Sequence, residues 1–174
     1  TSQREAQLLV KEAEIHADAA MPAAFGWHPW FQRRGDVRLR VDAGEAVETR
    51  AMIPTGRILP AECSLNLRAG PILGRRRLDD SFVGVRPPIE IAWADLMLRL
   101  ETEPWLSTVT VYTPPGAFCV EPQTAIANAL ALPQAAAVNS SPASPSPITG
   151  LTASLASAPP ASGRPANPSA AMPA

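Results

Sequence analysis

Charge of one sign is missing from this chain. Its 174 residues hold 15 lysines and arginines against 16 aspartates and glutamates. A balance so close to zero supplies no field to gather nucleic acid or an anionic membrane surface. Long apolar runs are missing too, and none of those present is near the length a bilayer demands. The stretch Thr1 to Val10 lacks the basic-then-apolar layout of a secretory leader. Cysteine is scarce: Cys63 and Cys119 make no disulfide framework for a chain of this size, and both read as small, buried residues. The two histidines, His16 and His28, have no cysteine or histidine partners at zinc spacing, so no metal is expected. No glycine-rich phosphate loop precedes a helix, and no serine sits in a Gly-x-Ser-x-Gly elbow. These absences argue against a nucleic-acid binder, a membrane partner and a serine hydrolase. They leave a soluble cytoplasmic protein as the expectation.

Aromatic residues and, apart from Arg164, charges are absent from one region in particular. From Leu132 to Ala174 the chain is alanine, serine, proline and a few small polar residues. Such a segment cannot bury enough apolar surface to offset the entropy of ordering it. Its repeated prolines oppose helices and paired strands. Residues 132–174 are therefore expected to be a disordered tail, and residues 1–131 a folded domain.

Period-two alternation is what that domain does have. Val37, Leu39 and Val41 alternate with Arg38, Arg40 and Asp42. Ile89, Ile91 and Trp93, then Leu96, Leu98 and Leu100, then Val109 and Val111, repeat the pattern, and Phe118 and Val120 lead into Glu121. This is the mark of strands with one buried face. Turn signals separate them at Gly35-Asp36, Pro54-Thr55-Gly56, Arg86-Pro87-Pro88 and Thr113-Pro114-Pro115-Gly116. The stretch Gln7 to Ala17 fits a helix by propensity and a strand by alternation. Many short strands without a long helix predict an all-β sandwich.

Four clusters could carry chemistry. His28 lies inside Phe25-Gly26-Trp27-His28-Pro29-Trp30-Phe31. Pro29 pushes it toward extended geometry, and a histidine between aromatic walls can serve as an acid or base near neutrality. It is equally readable as a hydrogen-bonded core histidine. Glu121, at the end of an apolar strand and before Pro122, either lines a pocket as a base or lies exposed. Asp79 and Asp80 could bind a cation or sugar hydroxyls, or sit on a solvated turn. In extended chain they point to opposite sides, so a shared proton is the least favoured option. Arg75-Arg76-Arg77 could hold a phosphate or form a solvated loop.

The order of these pieces is more specific than any one of them. Met21-Pro22, Gly26-Trp27-His28-Pro29-Trp30-Phe31, Pro54-Thr55-Gly56, Leu78-Asp79-Asp80-Ser81-Phe82, Val111-Tyr112-Thr113-Pro114 and Glu121-Pro122-Gln123-Thr124 with Asn128 resemble, in that sequence, the second half of the aldose 1-epimerase (galactose mutarotase-like) family. The resemblance covers about Leu8 to Leu132. It implies an incomplete β-supersandwich and an isomerase that interconverts the α and β anomers of a hexose such as glucose or galactose, without a metal or organic cofactor. It implies that His28 protonates the ring oxygen, that Glu121 takes the proton from the anomeric hydroxyl, and that Asp79 binds sugar hydroxyls. A hexose-6-phosphate 1-epimerase and a non-catalytic sugar-binding remnant are the alternatives. The family's first half supplies an Asn-Arg substrate segment and an earlier histidine that this sequence lacks, so a fragment with part of the site is expected. The family's chains also return as a final strand after the glutamate segment. Here the Ala/Ser/Pro tail stands in that place.

Overall fold

A computed structural model describes residues 7–14, 18–19, 23–132 and 148–157. Among the described residues, eleven strands make two antiparallel sheets. One sheet holds β1 (Gln7–Ala13), β11 (Ile148–Ser157), β8 (Leu96–Thr102), β7 (Arg86–Ala92) and β3 (Arg38–Asp42), in that order. The other holds β2 (Trp30–Gln32), β10 (Ala117–Gln123), β9 (Thr108–Tyr112), β6 (Asp79–Val83), β4 (Glu45–Arg50) and β5 (Ile53–Pro60). The alternating residues meet between the sheets. Leu39, Ile89, Ile91, Val109, Val111, Phe118 and Val120 are all fully buried there. The mutually tilted rings of Phe31, Trp93 and Phe118 pack together at this core. The all-β sandwich expected from the alternation is the observed fold. No helix among the described residues is long and apolar enough to cross a membrane.

Of the ambiguous N-terminal stretch, Gln7–Ala13 is strand β1, and residues 15–17 lie outside the described residues. It presents Leu8, Leu9 and Val10 to solvent, with exposures of 69%, 55% and 45%. Because consecutive strand residues point to opposite faces, this sheet edge exposes apolar side chains on both of its sides.

Four expectations need correction. Cys63, expected to be buried, is exposed in the short 3-10 turn Cys63–Leu65, while Cys119 is buried as expected. The tail was expected to hold no paired strand, yet β11 pairs with β1 on one side and β8 on the other. The stretch from Ile148 to Ala158 is free of proline, so no ladder bond is forfeited there. Ala153 and Leu155 pack against the core, an alternation that the bulk composition of the tail conceals. The rest of the tail lies outside the described residues, as do His16 and the Met21-Pro22 pair. Pro54-Thr55-Gly56 is not a turn but part of β5, an edge strand, where a proline costs no ladder bond. The turn falls instead at Ala51 and Met52, whose φ angles of 48° and 68° suit a tight hairpin. Arg86-Pro87-Pro88 opens β7. The prolines are tolerated because β8 pairs only from Ile89 onward and the β3 ladder slips between Arg40 and Asp42.

Candidate active site

Strand register assembles the site. On β10, Phe118 and Val120 face the core, so Cys119, Glu121 and Gln123 face the other way. On β9 the outward residues are Thr108, Thr110 and Tyr112, and on β6 they are Asp79 and Ser81. Ladder pairing then lines these up in two rows across the outer face. One row runs Ser81, Thr110, Glu121. The next, two residues along each strand, runs Asp79, Tyr112, Cys119, Trp30.

His28 joins the first row for a reason visible in the backbone. Trp30 pairs with Cys119, and Gly26 forms an isolated bridge with Gln123. Residue 28 therefore stands opposite residue 121. The approach is tight: a Cβ on Gly26 would lie 2.7 Å from Cγ of Gln123 and 3.0 Å from the Pro122 carbonyl oxygen. Glycine is thus required by packing. The Trp27 amide donates to the Pro122 carbonyl at 2.9 Å, and Phe25 exchanges backbone and hydroxyl hydrogen bonds with Thr124.

The result is a His28 Nε2–Glu121 Oε1 contact of 3.1 Å, with the imidazole side chain 56% exposed and the carboxylate side chain 11% exposed. Glu121 is held from two more directions. The Cys119 thiol donates to Oε1 at 3.1 Å, and Gln123 Nε2 donates to Oε2 at 3.1 Å. Gln123 also reaches Thr110 Oγ1 at 3.3 Å, which lies 2.7 Å from Ser81 Oγ. Burial, the hydrogen bond to Glu121 and the negative charges of Glu121 and Asp79 push the Cys119 thiol up to about 12. Cys119 therefore stays protonated and acts as a donor.

Aromatic rings border the pair. Trp30 lies 5.5 Å from the His28 ring and meets Tyr112 edge-on at 6.0 Å. Beyond Tyr112, a cavity of about 280 Å³ is lined by Met52, Arg77, Asp79, Tyr112 and the Thr113–Pro115 turn. It abuts the site on the Asp79 side and includes neither His28 nor Glu121. Asp79 is exposed on the outer face, while Asp80 turns inward. Burial raises the Asp80 carboxyl above its usual range. Of the arginine run, only Arg77 borders the cavity; Arg76 donates to the Ser64 carbonyl.

His28, Glu121 and Asp79 thus fall on one sheet face, with His28 and Glu121 in direct contact, whereas Asp80 faces inward and the arginine run lies in a loop. Sequence reasoning did not single out Cys119, Gln123, Thr110, Ser81 or Arg33 as partners. Arg33 has the densest hydrogen bonding among the described side chains. Its guanidinium donates to the carbonyls of Leu73, Gly74, Arg76, Thr113 and Pro114. It ties the arginine loop to the turn after β9, the two segments that frame the cavity. Burial and the nearby Arg77 charge lower its pKa.

The aldose 1-epimerase family model matches residues 4–142. The chain belongs to the aldose 1-epimerase family. Solved structures agree on the fold. A protein of Escherichia coli K12, provisionally named an aldose 1-epimerase, superposes with a TM-score of 0.65 at 15% identity, covering 88% of this chain and 56% of its own. A galactose mutarotase-like protein of Clostridium acetobutylicum gives 0.56 at 14% identity, covering 79% and 47%. The Slr1438 protein of Synechocystis gives 0.56 at 16% identity, covering 87% and 50%. This chain therefore spans about half the length of the solved structures it matches. No curated protein sequence matches it.

Proposed function

We propose that this chain carries the acid–base pair of an aldose 1-epimerase acting on a hexose such as glucose or galactose. The observation that carries this reading is the 3.1 Å contact between His28 Nε2 and Glu121 Oε1, beside Asp79 and two aromatic rings. The anomeric hydroxyl and the ring oxygen are attached to one carbon. Groups 3.1 Å apart can each reach one of them from the same side. Glu121 takes the hydroxyl proton, protonated His28 gives its proton to the ring oxygen, and the bond between the anomeric carbon and that oxygen breaks. The product is an open-chain aldehyde facing a neutral imidazole and a carboxylic acid. Rotation of the carbonyl and return of both protons close the ring in either configuration and restore the starting pair. The Cys119 and Gln123 donors hold the carboxylate in place, and each well-placed proton donor or acceptor contributes about 10²–10⁴-fold. Asp79 accepts hydrogen bonds from sugar hydroxyls at the cavity end, with Trp30 and Tyr112 against the ring.

A second reading has one observation in its favour. Arg77 lines the cavity beside Asp79, where its guanidinium could hold the phosphate of a hexose 6-phosphate. Exchange NMR on the anomers of glucose, galactose and glucose 6-phosphate separates the cases. Acceleration above the buffer rate on the free hexoses is expected. Acceleration on the phosphorylated sugar alone would transfer the reading to the phosphate. Sugar binding with no acceleration on any of the three would leave a binding remnant and refute the enzyme.

A further inference from the structure

His28, Cys119 and Glu121 bring three different donor types to one point. Their Nε2 or Nδ1, Sγ and carboxylate oxygen atoms all lie within 4.8 Å of one another. Two of the separations are 3.1 Å. We propose that this trio is a binding site for one divalent cation of the zinc class, with a fourth coordination position open toward solvent.

Zinc takes these three kinds of atom at about 2.0–2.3 Å in a tetrahedron, which sets neighbouring donors roughly 3.3–3.8 Å apart. The trio reaches that spacing by shifts within side-chain freedom. Gln123 holds Glu121 Oε2, which leaves Oε1 directed at the histidine and the thiol. A hydrogen bond to the non-ligating oxygen, such as this one from Gln123, orients a metal-ligating carboxylate. Access is from the His28 side, whose side chain is 56% exposed. The thiol surrenders its proton to solvent as the sulfur–metal bond forms, and the imidazole that serves as the acid must give up its proton too before its nitrogen can bind, so binding to that pair releases two protons. Sulfur and imidazole donors select zinc or cadmium over magnesium and calcium, which want oxygen. On the epimerase reading above, the ion occupies the lone pairs that the acid and the base need, and it silences mutarotation.

Cadmium titrated into the full chain tests the site through its thiolate charge-transfer absorption. The Cys63→Ser background is used because Cys63 is an exposed competing thiol. A saturable band at one equivalent is expected, reversed by zinc and untouched by magnesium. Cys119→Ser in that background should abolish the band. His28→Gln should weaken affinity by at least about tenfold, the smaller end of what losing even an outer partner costs. No band in Cys63→Ser, or a band indifferent to both further substitutions, overturns the proposal. Where sugar exchange is measurable, unchanged exchange at saturating zinc overturns the inhibition. Binding in a chain that never accelerates exchange would refute the epimerase reading while establishing the site.

Discussion

Replacing Arg33 with methionine should destabilise the chain by about 3–5 kcal/mol. Two terminal nitrogens of one half-buried guanidinium serve five carbonyls, at 2.7 to 3.2 Å. Hydrogen bonds from a charged donor contribute about 1.5–3 kcal/mol each, but bonds that share a nitrogen do not add. Two independent forks is the upper count the geometry supports. Methionine keeps the stem's packing and removes the donors, so the loss isolates the hydrogen bonds. Arg33→Lys keeps the charge but has a single ammonium that cannot span both segments, and it should recover no more than about half. Urea unfolding followed by tryptophan fluorescence measures this, provided the slope m is unchanged and the midpoint alone moves. A loss below about 0.5 kcal/mol in Arg33→Met would refute the clamp, because a surface arginine away from such features costs no more than that.

Other predictions concern the acids and the tail. Because burial raises Asp80 in the folded chain, its stabilising contribution is present below the unfolded carboxylate range and is lost as pH rises through the folded value. Asp80→Asn should therefore raise stability at pH above that folded value and flatten its fall as pH rises past the ordinary carboxylate range, as read from urea midpoints across a pH series. Asp79→Ala should raise KM for hexose by tenfold or more with a smaller change in kcat, since it removes hydroxyl contacts and leaves the proton pair. Leu155→Asp places a charge where β11 meets the core. It should cost about 2–4 kcal/mol and expose the amides of β1 and β11 to hydrogen exchange, whereas an unchanged midpoint would detach β11 from the fold.

Much of the fold was legible because its signal is local. Val37, Leu39 and Val41 report their own inward face without reference to any partner. The order of Gly-Trp-His-Pro, Leu-Asp-Asp and Glu-Pro-Gln-Thr carried the family. Register was not legible. Nothing in the sequence near Thr110 or Ser81 says that they share a row with Glu121, because that depends on how β6, β9 and β10 slide against one another. Nothing local in the sequence marks Arg33, since its five acceptors come from segments 40 to 81 residues away. Proline misled twice for one reason. It breaks a strand only where its amide is needed, and an edge strand or a ladder slip removes that need. The tail misled because composition averaged over 43 residues hides the proline-free run that forms β11.

The most direct test of the proton exchange is the anomer exchange rate of the parent chain set against His28→Gln and Glu121→Gln. Each substitution keeps the side chain near its original size and removes one proton function. The account predicts that both rates fall at least about a hundredfold and that the double variant falls little further, as expected for groups acting as a unit. Near-parental exchange in either single variant, with the fold intact by circular dichroism, would contradict it.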